Sequence, residues 1–179
     1  GVLDPDLDGE WVDAKQLKGK IDHSTAGAQW IYRKIKGIQV NGRFGKGYEL
    51  CAQMLALCIA SHHSGLIDCI DADGKFNFKK RIEKDDATTH LSECLRNADA
   101  EVLEKANSLC TPALVNELRR VVDHILCRTE GSPKVSEKVQ EFQLGMLTRF
   151  LFSTLIDADR MDSADFENPQ NILLRAQDL

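Results

Sequence analysis

The segment from Leu55 to Leu66 fixes much of what this chain can form, because an apolar helix runs there into two adjacent histidines and a glycine. The apolar side chains that recur at helical spacing are Cys51, Leu55, Cys58 and Ile59. This periodicity predicts a helix with a buried face, and His62 continues that face one turn later. His63 is rotated by about 100° from it, but near Gly65 both rings can reach one cavity. The alternative is a core histidine beside a surface one, so only a second group of ligand-type residues would indicate a site.

The composition describes one globular domain. The 179 residues are 42% hydrophobic and 28% charged, which suits a single domain with a sizeable core. No apolar run has the length of a membrane span, and the first residues do not resemble a signal peptide. Six cysteines without a Cys-x-x-Cys pair indicate small apolar side chains in a reducing cytoplasm. The formal net charge of −5 argues against a protein that coats nucleic acid by charge alone.

The segment 22–28 is typical of a helix start. Asp22 or Ser24 can cap the first turn, and the small residues at 26–28 allow close packing against another helix. His23 lies beside the unpaired backbone N–H groups of that start, where a phosphate oxygen binds favourably. A histidine in this place is also common as an ordinary residue of a capping loop.

The middle of the chain predicts further helices and no strand of any length. Glycines make 37–47 a connector, and 71–75 is predicted to be a turn before a basic excursion. The cations of that excursion are Lys79, Lys80, Arg81 and Lys84. Most such runs of charge form a solvated face. A helix capped by Thr88 or Thr89 is predicted for 90–108, with an interruption at 97–99. Thr111 and Pro112 begin another, whose predicted apolar stripe comprises Leu114, Leu118, Val121 and Ile125.

The last long helix, predicted for 136–161, ends its apolar face in a carboxylate. The leucines along that face are Leu144, Leu147, Leu151 and Leu155. The next position on the face is Asp159, so the pattern places a carboxylate where a leucine is otherwise buried. An unpaired buried carboxylate is costly, and Asp159 is therefore expected to have a cation, several donors or a metal beside it. Asp157 points to the opposite side of the helix.

Ligand-type residues thus stand at one end of each of three helices. Two apolar faces lead to His62 and Asp159, and a third helix begins at His23. Imidazole together with carboxylate is typical of a site for a borderline divalent metal. Imidazole favours manganese, iron, cobalt or nickel over magnesium, which stays possible. The sequence therefore predicts an all-α fold that holds divalent metal ions.

Three short motifs, Asp-His-Ser-Thr-Ala-Gly (22–27), Ser-His-His-Ser-Gly (61–65) and Asp-Ala-Asp-Arg-Met-Asp-Ser (157–163), follow each other along the chain. In order and approximate spacing they resemble the HD nuclease domain of the CRISPR-associated helicase-nuclease of type I systems, over residues 13–167. The resemblance implies an HD-superfamily helical bundle that holds one or two divalent metals and cuts single-stranded DNA. The catalytic residues at the matching positions would be His23, His62, His63 and Asp159, as metal ligands or as groups that orient the scissile phosphate. Asp157 is the alternative to Asp159. Ser24 and Thr25 become candidates for contact with the substrate phosphate.

The same resemblance implies partners and a cellular context. The helicase domain of the same protein would deliver the single strand, and a CRISPR RNA-guided surveillance complex would direct both in antiviral defence in a prokaryotic cytoplasm. The family's His-Asp-x-Gly-Lys motif does not occur in this sequence, so the resemblance implies a domain at 1–168 that lacks its first helices. Residues 169–179 are interpreted as a tail or linker toward the helicase domain. The opening segment 4–15 matches half of a calcium loop but ends in Lys15 instead of glutamate, and is interpreted as a solvated acidic loop.

Two other functions stay open. The missing His-Asp pair and the acidic net charge are compatible with a non-catalytic docking or binding module that keeps the HD fold. A nucleotide phosphohydrolase also uses an HD-type helical site. The motifs at 22–25 and 61–64 favour the nuclease over the phosphohydrolase.

Overall fold

The computed structural model describes residues 22–40, 43–44, 46–128, 130–131, 134–170 and 172, so the opening segment 4–15 lies outside the described residues. The described elements, in chain order, are α1 (His23–Lys36), β1 (Gln39–Val40), β2 (Arg43–Phe44), α2 (Lys46–Ser61), α3 (Asn77–Ile82), α4 (Asp86–Thr89), α5 (Leu91–Asn97), α6 (Ala100–Leu109), α7 (Pro112–Ile125) and α8 (Glu137–Glu167). The strands form a minimal antiparallel hairpin inside the predicted connector. The predicted all-α class is confirmed for these residues, while the assignment to the HD superfamily stays a prediction.

The core is built around α2, which is buried on most sides. Its side chains with almost no exposure include Cys51, Ala52, Ala56, Cys58 and Ala60. Such small residues let neighbours approach closely, and α1, α7 and α8 all pack against this helix. The predicted buried face is confirmed at Cys51 and Cys58, whereas Leu55 and Ile59 are partly buried and pack against the edge of the core.

Helix α1 lies directly on α2 because both helices present small or flat surfaces at the contact. Asp22 caps α1, as predicted, by accepting a hydrogen bond from the backbone N–H of Thr25 at 3.1 Å. At Gly27 a Cβ atom would stand 3.1 Å from Cγ2 of Ile59. A side chain at position 27 would therefore require Ile59 of α2 to shift.

A buried amide connects α1 to the basic excursion. Gln29 is almost fully buried, and its Nε2 donates to the backbone oxygens of Ile82 at 3.1 Å and Lys84 at 2.7 Å. Its Oε1 accepts from the hydroxyl of Thr89 at 3.1 Å. All of its principal polar atoms are thus satisfied, as a buried side chain of this type requires. These bonds fix the end of α3, the following Lys84 and the end of α4 against α1.

The loops and caps between 71 and 112 follow the sequence in most details. The predicted turn is confirmed, since the Asp71 carboxylate accepts from the backbone N–H groups of Asp73 and Lys75. The predicted interruption at 97–99 separates α5 from α6. Thr111 caps α7 by accepting from the backbone N–H of Leu114. The predicted cap by Thr88 or Thr89 is wrong, because these threonines belong to α4 and are preceded by its capping residue Asp85.

Helix α7 uses a different apolar stripe from the predicted one. The residues that face the core are Val115, Leu118, Val122 and Leu126. Leu114 and Val121 are 55% and 47% exposed. This helix carries apolar residues on two adjacent stripes, so periodicity alone does not decide which stripe contacts α2.

Helix α8 confirms the predicted leucine face at three of its four positions but not the burial of Asp159. Leu144, Leu147 and Leu151 pack against the core. The Cys58 thiol approaches the backbone oxygen of Thr148 at 3.6 Å, which marks the level where α8 meets α2. Asp159 lies three turns beyond Thr148, about 16 Å along the axis, and is exposed because the helix has run past the core.

The structure also bears on the cysteines and on membrane-spanning helices. All six cysteines are unpaired, and only Cys51 and Cys58 are buried as the interpretation of small apolar side chains implies. No helix within the described ranges is both long and apolar enough to cross a membrane.

The contact at Gly27 generates a stability prediction. A Gly27→Leu substitution is expected to lower the free energy of unfolding by about 1–3 kcal/mol, because the added atoms push α1 away from Ile59. Gly145→Leu is the control, since a Cβ atom there meets only the flexible end of Arg149, and is expected to change stability by less than about 1 kcal/mol. Denaturant unfolding measures both variants. Equal losses would show that the contact between α1 and α2 is not tight.

Candidate metal centre

Three histidines from two helices meet at one point. His23 is the first residue of α1, and His62 and His63 directly follow the last residue of α2. The ring centroids of His62 and His63 are 3.8 Å apart, and those of His23 and His63 are 4.7 Å apart. One ring nitrogen from each histidine lies within 4.8 Å of the other two. The structure therefore brings together the three histidines that the sequence singled out, and we call this group the histidine cluster.

The hydrogen bonding of His62 suits a metal ligand. Its Nδ1 lies 2.6 Å from the backbone oxygen of Ile59, and a carbonyl oxygen only accepts, so Nδ1 carries the proton. The Nε2 atom of the neutral ring then has a free lone pair. A backbone carbonyl behind the second nitrogen is the usual way of fixing the tautomer and orientation of a metal-binding histidine.

His23 and His63 face each other through the same type of atom. Their Nε2 atoms are 2.6 Å apart, so two neutral rings have to share one proton at this contact. A metal ion can take the place of such a proton, because both bind to the nitrogen lone pairs. The donor set of three imidazoles therefore fits a borderline divalent cation.

The electrostatic environment favours the neutral form of His23. Burial lowers the pKa of this ring, and the charges that His63 and His62 would carry nearby lower it further. Metal ions bind the neutral imidazole, so protons compete less for this position than for an ordinary histidine.

Asp22, the neighbour of His23, is ionised, and its negative charge is paired with Lys84. Burial raises the pKa of Asp22, but hydrogen bonds from Lys84 and Thr25 outweigh that effect and hold the pKa well below its usual range. The carboxylate forms an ion pair with Lys84 and caps α1 at the same time. Its charge is therefore committed to holding the helix start in place.

The other predicted site residues lie differently. Among the described residues, the group of converging ligand atoms contains the three histidines and not Asp159, which is exposed. Thr25 is fully buried, and its hydroxyl donates to Asp22 at 2.8 Å, so it does not present a hydroxyl to a substrate. Ser24 is partly exposed beside His23, although its hydroxyl also donates to Asp22 at 3.1 Å.

Arg81 is a neighbour of the cluster that the sequence did not reveal. Its Nη1 donates to the backbone oxygen of Ala60 at 3.0 Å and lies 3.5 Å from the hydroxyl of Ser24. The sequence predicts a solvated face for the run of charge around it, whereas Arg81 itself is partly buried. One local feature of the sequence could have indicated its role, because Arg81 is an arginine among lysines. Arginine is the cation preferred for partly buried contacts.

Comparison with known proteins adds no relative. No protein-family model matches the sequence, and no match was found among curated proteins or solved structures. The resemblance to HD nucleases therefore rests on the sequence motifs alone.

The cluster predicts a metal-binding phenotype. His63→Ala is expected to weaken Co²⁺ binding by at least about tenfold, since changes even behind a ligand cost that much, and to leave unfolding of the metal-free protein nearly unchanged because His63 is exposed. His124→Ala removes an exposed histidine of α7 outside the cluster and serves as the control. Visible absorption during Co²⁺ titration measures affinity. The same affinity in all three proteins would contradict a metal site at this position.

For Asp159, in the motif at 157–163, no loss of Co²⁺ affinity is expected. Asp159→Asn is expected to change neither the Co²⁺ affinity nor the melting temperature, because the carboxylate is exposed and does not join the converging nitrogens. Asp157→Asn, across the same helix, is the matched control. A selective loss of Co²⁺ affinity in Asp159→Asn would place this carboxylate among the ligands.

Proposed function

We propose that this chain is a metal-dependent phosphodiesterase domain that hydrolyses single-stranded DNA. The observation that carries the proposal is the convergence of three imidazole nitrogens, from His23, His62 and His63, within 4.8 Å of one another. Three protein ligands leave open positions at a divalent ion, which is typical of catalytic rather than structural sites. A bound divalent ion supplies Lewis acidity, which activates water for attack and neutralises charge on the phosphate.

The protein groups around the cluster suit an anionic substrate. The positive end of the α1 dipole lies at the cluster because His23 is the first residue of that helix. His62 is held in one tautomer by the Ile59 carbonyl, so its Nε2 is available without rearrangement. Arg81 contributes a further positive charge between the two segments that carry the histidines.

The sequence motifs support the choice of DNA and of context. Two of the three motifs that resemble the HD nuclease of type I CRISPR systems, at 22–27 and 61–65, supply the histidine cluster. We therefore include in the proposal a helicase domain of the same protein that delivers the strand, and a role beside the RNA-guided surveillance complex in the prokaryotic cytoplasm.

A docking module is the second candidate, and one observation favours it. Helix α8 exposes large apolar side chains at a spacing of three to four residues, as one helix face does. They are Val139, Phe142, Met146 and Phe150, with 41%, 67%, 49% and 66% exposure. An exposed apolar stripe of this kind marks an interaction surface in many proteins. The domain would then bind partners through α8 without cutting DNA.

A cleavage assay separates the two candidates. Circular single-stranded DNA, incubated with the protein and Mn²⁺, Fe²⁺, Co²⁺, Ni²⁺ or Mg²⁺, is expected to be cut, most strongly with the ions that imidazole prefers. His62→Gln is expected to abolish cutting because it removes the preset Nε2 ligand, whereas His124→Gln is not. Gel electrophoresis follows the loss of circles. Retained Co²⁺ binding without cleavage by any metal would favour the docking module.

A further inference from the structure

The proposed function uses Arg81 as a positive charge near the cluster but assigns it no contact with the substrate. Its guanidinium reaches from α3 to the two segments that carry the histidine cluster. Ala60, whose backbone oxygen it contacts, lies two residues before His62, and Ser24 directly follows His23. The cation is therefore held at the edge of the cluster by contacts on both sides.

Among the described residues Arg81 has no ion-pair partner, whereas Lys79 and Lys84 nearby each have one. Lys79 pairs with Glu83 at 3.7 Å, and Lys84 pairs with Asp22. Within the described part of the chain, no carboxylate lies in ion-pair distance of Arg81. Its two recorded contacts use Nη1 alone, and a guanidinium carries five N–H donors. A partly buried arginine with spare donors and no carboxylate is suited to bind an anion from solution.

The position of Arg81 is fixed by the fold rather than by the arginine itself. The residue that follows it, Ile82, gives its backbone oxygen to the buried amide of Gln29 on α1. Lys84 is held in the same way and also pairs with the cap of α1. The end of α3 therefore stays in one place relative to His23, and little ordering is needed when an anion binds.

We propose that Arg81 is a substrate-binding residue that holds a phosphate group of the DNA strand at the histidine cluster. The inference rests on the proposed function, because it names the contact that fixes the scissile phosphate or its neighbour. The planar guanidinium forms parallel hydrogen bonds to two oxygens of one phosphate, whereas a lysine supplies a point charge. The three histidines hold the metal, and Arg81 sets where the strand lies relative to it.

The test compares strand binding in Arg81→Gln, Arg81→Lys and Lys80→Gln. Lys80 is the matched control because it is an exposed cation of the same short helix. Fluorescence anisotropy with a labelled oligothymidylate is measured without metal, so that the strand is not cut during the titration. Arg81→Gln is expected to lose about 10- to 100-fold in affinity, as for a charge-assisted hydrogen bond. Lys80→Gln is expected to lose no more than about threefold. Arg81→Lys is expected to lie between them.

Melting temperature and Co²⁺ affinity separate binding from a structural role. A substrate-binding residue loses strand affinity while both of these stay at the wild-type values. Equal strand affinity in Arg81→Gln and Lys80→Gln overturns the proposal, as does a parallel loss of melting temperature and Co²⁺ affinity in Arg81→Gln. Should Arg81→Gln fail to fold, Arg81→Lys decides, because it keeps the charge, and wild-type strand affinity in it overturns the proposal. Failure of the wild-type protein to bind Co²⁺ refutes the proposed function, and the metal-free comparison still decides the role of Arg81.

Discussion

The close approach of α1 to α2 at Gly27 is the contact on which the rest of the structure depends. One helix begins with a histidine and the other ends before two, so their contact brings together groups that are 40 residues apart in sequence. Small residues on both helices make this possible, and even a Cβ atom at Gly27 would stand only 3.1 Å from Cγ2 of Ile59. The candidate metal centre is thus a product of the packing of α1 against α2.

A second layer of organisation comes from buried polar groups. The amide of Gln29 donates hydrogen bonds to the backbone oxygens of Ile82 and Lys84, where α3 ends. It also accepts a hydrogen bond from Thr89 on α4. Such a fully satisfied buried side chain specifies one arrangement of its neighbours, because any other leaves polar atoms without partners. Asp22 acts in the same way on the other side, since it caps α1 and pairs with Lys84. These bonds hold Lys84 and Arg81 next to the start of α1.

Local chemistry made several parts of this arrangement predictable from sequence. Caps, turns and helix interruptions depend on neighbouring residues, and Asp22, Thr111 and the turn at 71–75 follow those rules. Periodicity predicts on which face of its helix a side chain lies. It does not predict whether the neighbouring helices extend far enough to cover that side chain. The pattern therefore predicts a buried Asp159, whereas the residue is exposed to solvent. Arg81 was missed because its contacts span 21 and 57 residues of sequence, and no local pattern encodes them.

The burial of α2 on several sides has a consequence for how this chain tolerates insertions and deletions. One extra residue between Cys51 and Ser61 would rotate everything after it by about 100° and advance it by about 1.5 Å. Cys58 and Ala60 would leave their neighbours, and the paired histidines would turn away from α1. The exposed turn at 71–75 carries no such restriction, since its hydrogen bonds are internal to the loop. In evolution the interval from Cys51 to His63 is therefore expected to keep its length while the interval from His63 to α3 varies.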